Sequence, residues 1–76
     1  MPRSLHSLQH RKLRTLLATA RLGASLTQAQ VAEKLDRPQS FVSKYESGER
    51  QLDVIEFMGV CKALGIPPAQ VLEQLT

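Results

Sequence analysis

From Thr27 to Arg50 the chain reads T-Q-A-Q-V-A-E-K-L-D-R-P-Q-S-F-V-S-K-Y-E-S-G-E-R. Thr27 stands where it can cap a helix, and Gln30, three residues on, completes an S/T-x-x-E/Q capping box. Val31, Ala32 and Leu35 then recur at helical spacing. The pattern breaks at Asp36-Arg37-Pro38, because Pro38 disfavours helix at Arg37 yet suits the first turn of a new helix. A second helix is predicted from Gln39 to about Ser47, stopped near Gly48.

Two helices separated by so short a break, with the small Ala32 where they must approach, read as a helix-turn-helix over about residues 28–47. Such a unit places its second helix in the DNA major groove. On that helix Val42 and Tyr45 fall near one another and, with Phe41, are its natural core anchors. The opposite side holds Gln39, Ser40, Ser43 and Lys44. Gln pairs bidentately with adenine, Lys donates to guanine O6 and N7, and Ser is permissive, so the four are candidate readers of base edges. A solvated polar face is the plain alternative, since every surface helix has one. Phe41, at the flank, is expected to be partly buried against the first motif helix rather than to touch a thymine methyl. Tyr45 is expected in the core with its hydroxyl on a polar partner, a phosphate contact being the sharper option.

The rest of the chain also reads as helix. Leu13, Leu16, Leu17 and Ala20 mark one face of a first helix, roughly residues 7–23, which Leu5 and Leu8 would extend. Asp53 and Glu56 form a second capping box. It opens a helix at about 54–64 that is expected to bury Ile55, Met58, Cys61 and Leu64, with Gly65 as its stop. Pro67-Pro68 opens a last helix carrying Val71, Leu72 and Leu75. The expected fold is all-α, a compact five-helix bundle with no sheet.

Seventy-six residues make one domain, 1–76, with residues 1–6 a candidate flexible basic arm. The net charge is +3, unevenly spread. Arg3, Arg11, Lys12, Arg14 and Arg21 fall in the first 21 residues with no acid, whereas the remainder holds five basic against seven acidic residues. A basic N-terminal third suits a phosphate-facing surface, with a solubilising helix face as the alternative. No run is long enough to span a membrane and no signal peptide opens the chain, so a cytoplasmic, nucleoid-associated protein is expected. The single cysteine, Cys61, can form neither an internal disulfide nor a metal site and reads as a buried small hydrophobe. His6 and His10 have i, i+4 spacing, but no Asp, Glu or Cys is near in sequence. No phosphate loop, nucleophile motif or acid pair is present. Neither a metal, a cofactor nor catalysis is expected.

T-Q-x-x-V-A-x-K-L followed by Q-S-F-V-S-K-Y-E-S-G-E-R closely resembles the Cro/repressor-type (XRE-like) helix-turn-helix family, over about residues 11–72. The resemblance implies a compact five-helix, lambda-repressor-like domain whose second and third helices form the DNA-reading unit. It implies that Gln28 contacts a phosphate and braces Gln39, and that Ser40, Ser43 and Lys44 face bases. It sets the loop from Ser47 to Arg50 on backbone phosphates and makes Arg21 and Glu46 a partly buried ion pair. Arg14 is a weaker phosphate candidate. The chain departs from the family at Asp36, where Gly is usual at the turn, at Pro38 in place of a Ser or Thr cap, and at Ser25, where many relatives carry Gly.

These readings point to a sequence-specific transcriptional regulator of bacterial or phage origin, a repressor or autoregulator with no sensor domain. It would bind double-stranded DNA as a homodimer, with two recognition helices in successive major grooves of a partly palindromic operator. An antitoxin or adaptor whose main task is to hold a protein partner such as a toxin is the competing function. Val54 and Phe57 form an apolar line that the expected stripe of the fourth helix does not use. Phe57, Val71 and Leu75 are therefore the expected dimer surface.

Overall fold

Each helix boundary follows from the residue that stands at it. In the computed structural model the backbone is described from residue 2 and the side chains from Leu8 onward. Five helices and no strand occur among the described residues: α1 (Pro2–Gly23), α2 (Gln28–Leu35), α3 (Gln39–Ser47), α4 (Val54–Leu64) and α5 (Pro68–Leu75). Both capping boxes form. The Gln30 amide donates to Thr27 Oγ1 at 3.0 Å and the Thr27 amide to Gln30 Oε1 at 2.8 Å. The Glu56 amide donates to Asp53 Oδ1 at 2.7 Å and the Asp53 amide to Glu56 Oε1 at 3.0 Å. Pro38, with φ −65°, begins α3 without a side-chain cap.

Three helices end alike. Ser25, Asp36 and Gly65 take a left-handed backbone, with φ of 60°, 57° and 74°. The following amide then reaches back across the last turn: Leu26 to the Arg21 carbonyl at 3.1 Å, Arg37 to Ala32 at 3.0 Å and Ile66 to Cys61 at 3.0 Å. These bonds satisfy carbonyls that a helix end leaves open, and they turn Leu26 and Ile66 against the core. At the motif turn Asp36 performs the role that Gly usually has, because its short polar side chain tolerates this conformation.

Leu17 of α1, Val31 and Ala32 of α2, Phe41, Val42 and Tyr45 of α3, Phe57, Val60, Cys61 and Leu64 of α4 and Val71 of α5 form one buried cluster. α2 packs on α3 and α4, α1 on α3 and α5, and α5 on α4. Burial pushes the Cys61 thiol pKa up, in keeping with an inert core residue.

The structure changes several expectations. α1 starts at Pro2 rather than near residue 7. Met1 and the side chains of residues 2–7, with Arg3, Leu5 and the His6 half of the histidine pair, lie outside the described residues. α4 is turned about its axis relative to the predicted stripe. Ile55 is 77% and Met58 51% exposed, whereas Phe57 and Val60 are buried beside Cys61 and Leu64. Its sequence is apolar nearly all round, so two overlapping faces satisfy helical periodicity. The one that buries the bulky Phe57 is realised. Phe57 and Val71, expected at a dimer surface, are therefore core of the protomer, and Leu75 is half-buried. The apolar side chains left outside on α4 and α5 are Val54, Ile55, Met58 and Leu72.

Glu56 does more than cap α4. Arg50 donates to it bidentately, Nη1 to Oε1 at 2.8 Å and Nη2 to Oε2 at 2.7 Å, and Arg37 Nη2 lies 3.7 Å away. The Arg50 hydrogen bonds and then the Asp53 amide lower its pKa from the ordinary 4.5 to about 2. A carboxyl with a lowered folded pKa contributes stability above its unfolded value and loses it as pH falls through the folded one. Stability to urea should therefore decline between pH 4.5 and about 2, and Glu56→Gln should flatten that part of the profile. Superimposable acid profiles for the two proteins would contradict this assignment.

Candidate nucleic-acid interface

The side chains of α3 divide cleanly by exposure. Phe41, Val42 and Tyr45 are buried, and Gln39, Ser40, Ser43, Lys44 and Ser47 are exposed. At about 100° per residue the five exposed residues cover a continuous arc of roughly 140° opposite the three anchors. The four predicted base readers thus share one open, polar face on a helix whose other side is fixed in the core.

Glu46, between these two faces, fixes the helix against its neighbours. Its carboxylate accepts from Arg21 Nε at 2.7 Å, from Arg21 Nη2 at 3.2 Å and from Gln28 Nε2 at 2.9 Å. Arg21 Nη1 donates in turn to the Leu26 carbonyl at 2.8 Å. One carboxylate thereby ties the end of α1, the α1–α2 turn and the start of α2 to α3. The Arg21 and Glu46 side chains are only 13% and 9% exposed. The Glu46 hydrogen bond raises the Arg21 pKa, so the guanidinium stays charged. Gln28, expected to brace Gln39, braces Glu46 instead.

After α3 the chain turns at Gly48, φ 90°, and the Arg50 amide reaches back to the Lys44 carbonyl at 3.2 Å. Ser47 Oγ donates to the Lys44 carbonyl and accepts from the Glu49 amide, which holds the turn locally. Arg50, expected on a phosphate, is held within the fold by Glu56 and the Gln51 carbonyl. Its guanidinium lies 4.8 Å from the Phe41 ring centroid, and that of Arg37 lies 4.7 Å from it. Phe41 also meets Tyr45 edge to face. Phe41 is buried rather than partly exposed, with two cations packed on it. Sequence periodicity carries no sign of the Arg50–Glu56 pair, whose one clue is that Glu56 is already fixed by the capping box.

Arg14, on α1, packs its guanidinium against Gly48 so closely that a Cβ there would lie 2.7 Å from Cζ. Gly48 is required for its backbone angle, while the Arg14 guanidinium, the mobile end of a long side chain, fills the space a Cβ would enter. Tyr45 lies in the core as expected, but its buried hydroxyl has no hydrogen-bond partner among the described residues. Burial raises its pKa strongly, so it stays a neutral phenol. Among the described residues no group of three or more His, Cys, Asp or Glu could hold a metal ion, and no helix is long and apolar enough to cross a membrane.

A helix-turn-helix (HTH_3) family model matches residues 17–71, the segment that carries α2, α3 and α4 whole, the end of α1 and the start of α5. The chain belongs to this family, the XRE or Cro/C1 type of DNA-binding domain. Among solved structures this XRE-type chain is similar to an XRE-family like protein from Pseudomonas syringae pv. tomato, at 46% identity and TM-score 0.94, over 97% of this chain and 90% of that one. It is also similar to the clp gene regulator ClgR from C. glutamicum, at 25% identity and TM-score 0.80, over 88% and 87% of the two chains. The restriction-modification controller C.AhdI from Aeromonas hydrophila shares the fold, at 24% identity and TM-score 0.76, over 82% and 94%. A search of curated proteins returns no match.

The clamp yields a stability test. Removing either partner of the part-buried Arg21–Glu46 pair strands the other charge and should cost about 2 kcal/mol, whereas Arg21→Met with Glu46→Leu should cost less than the two single changes together. Urea unfolding of the four proteins reads this out. Additive losses would show two independent charges.

Proposed function

We propose that this chain is a transcriptional regulator that reads a partly palindromic operator as a dimer, acting on DNA in the cytoplasm. The observation that carries the reading is the open arc of Gln39, Ser40, Ser43 and Lys44 on a helix immobilised by three core anchors and Glu46. In this reading Gln39 and Lys44 discriminate bases through paired or charge-assisted hydrogen bonds, and the two serines adapt to either strand. Gln28 uses one amide hydrogen on Glu46 and has a second for a phosphate oxygen. Ser47 flanks the same face, and Arg14, beside Gly48, carries a charge with no carboxylate partner among the described residues. Arg50 acts through the fold, holding the turn that follows the recognition helix.

The dimer reading moves to the surface that remains exposed. Val54, Ile55 and Met58 lie within little more than one turn of α4, and a two-fold axis beside them would pair the same residues from both copies. An uncovered apolar patch is unusual on a monomer of this size. Two protomers so joined would present their α3 helices to grooves about 34 Å apart.

Selection from random duplex DNA is expected to yield a consensus of two inverted half-sites. On that sequence Gln39→Ala and Lys44→Ala should each cost about 1–3 kcal/mol and much less on random DNA. Equal losses on both would show phosphate contacts instead. Sedimentation at micromolar concentration should give twice the chain mass, reduced to one in Ile55→Glu. A wild-type monomer on its operator would remove the dimer.

A further inference from the structure

A recess lies away from the open face of α3, between α1 and the chain that leaves the recognition helix. It is a cleft of about 350 Å³ whose lining includes Leu13, Leu17, Leu52 and Tyr45 together with Arg11, Arg14 and Gly48. Its size falls at the lower end of small-molecule sites, which combine apolar walls with a few placed polar groups. Neither Arg11 nor Arg14 pairs with a carboxylate among the described residues. Tyr45, 2% exposed, closes the floor of the same cleft. Two guanidiniums without a carboxylate partner among the described residues, set beside three leucines, describe one kind of ligand.

We propose that this cleft binds a small amphiphilic carboxylic acid, its apolar body against the leucines and its carboxylate between Arg11 and Arg14. Because Arg14 packs on Gly48, an acid held there meets the turn that follows the recognition helix. It also neutralises a charge that the DNA reading assigns to a phosphate. Occupancy of the cleft therefore lowers DNA affinity. This second statement rests on the proposed function, and the first does not.

The free protein is titrated with phenylacetate and octanoate, using phenylacetamide as the uncharged control, and followed by proton–nitrogen NMR. Saturable shifts are expected at the amides of Gly48, Gln51 and Leu52, with the amide control binding about tenfold more weakly, as loss of a charge-assisted hydrogen bond implies. Arg14→Gln should weaken the acids about tenfold as well. No saturable shift at millimolar acid overturns the site. So do shifts confined to Val54, Ile55 and Met58, which would mark an amphiphile on the exposed apolar face. Arg14→Gln changing only DNA affinity also overturns it and leaves Arg14 a phosphate contact. On the selected operator, saturating phenylacetate should weaken binding about tenfold, the expected result of removing an Arg–phosphate contact. Unchanged operator affinity with intact acid binding overturns the regulatory half alone.

Discussion

The Glu46 carboxylate is the point on which the rest of the molecule turns. α3 is nine residues long, and a helix of that length is not stable by itself in water. Its geometry must come from what it touches. Phe41, Val42 and Tyr45 press one side into the core, which sets depth but leaves the helix free to roll by small angles. Arg21 and Gln28, converging on one carboxylate from α1 and α2, remove that freedom. Both charges lie largely out of water, so the net stabilisation is modest compared with the penalty for breaking one partner. What the clamp contributes above all is position.

A second carboxylate repeats the arrangement one element later. Glu56 closes the cap of α4 and at the same time receives Arg50 from the connector, with Arg50 and Arg37 packed on Phe41. The chain between α3 and α4 is thereby tied to the start of α4 on one side and to the core ring of α3 on the other. Each end of the recognition helix has a defined support: Pro38 presets the backbone where it begins, and Gly48, pinned under Arg14, sets the turn where it stops. Ser47 Oγ is spent on its own turn, whereas the side chains of Gln39, Ser40, Ser43 and Lys44 make no hydrogen bond within the fold among the described residues.

Local chemistry makes most of the fold legible in the sequence. Caps at Thr27 and Asp53, stops at Gly48 and Gly65, and the break at Pro38 act over a few residues, and the helix bounds follow them. The polar face of α3 was legible for the same reason, since alternation of Phe41, Val42 and Tyr45 with short polar residues leaves one choice of buried side. α4 was not, because its apolar residues nearly encircle it and only packing against α5 and α2 selects Phe57 over Ile55 and Met58. The pairing of Arg50 was not legible for a related reason: a cation in a loop reads as free until a carboxylate six residues away captures it. Arg21 and Glu46 lie 25 residues apart, and no local rule joins them; family resemblance did. The unpartnered Tyr45 hydroxyl has no sequence signature at all.

If position is what Glu46 supplies, its loss should damage discrimination more than affinity. The direct measurement is the ratio of operator to random-DNA affinity for Glu46→Gln, at fixed salt and at a temperature where circular dichroism shows the variant fully folded. The amide keeps the volume but loses the charge that holds Arg21, so the reading face should tilt. The ratio should drop by about tenfold, equivalent to roughly one misplaced base contact, while binding to random DNA stays nearly constant. A folded Glu46→Gln protein with an unchanged ratio would contradict the account, and would mean that the three core anchors alone orient the recognition helix.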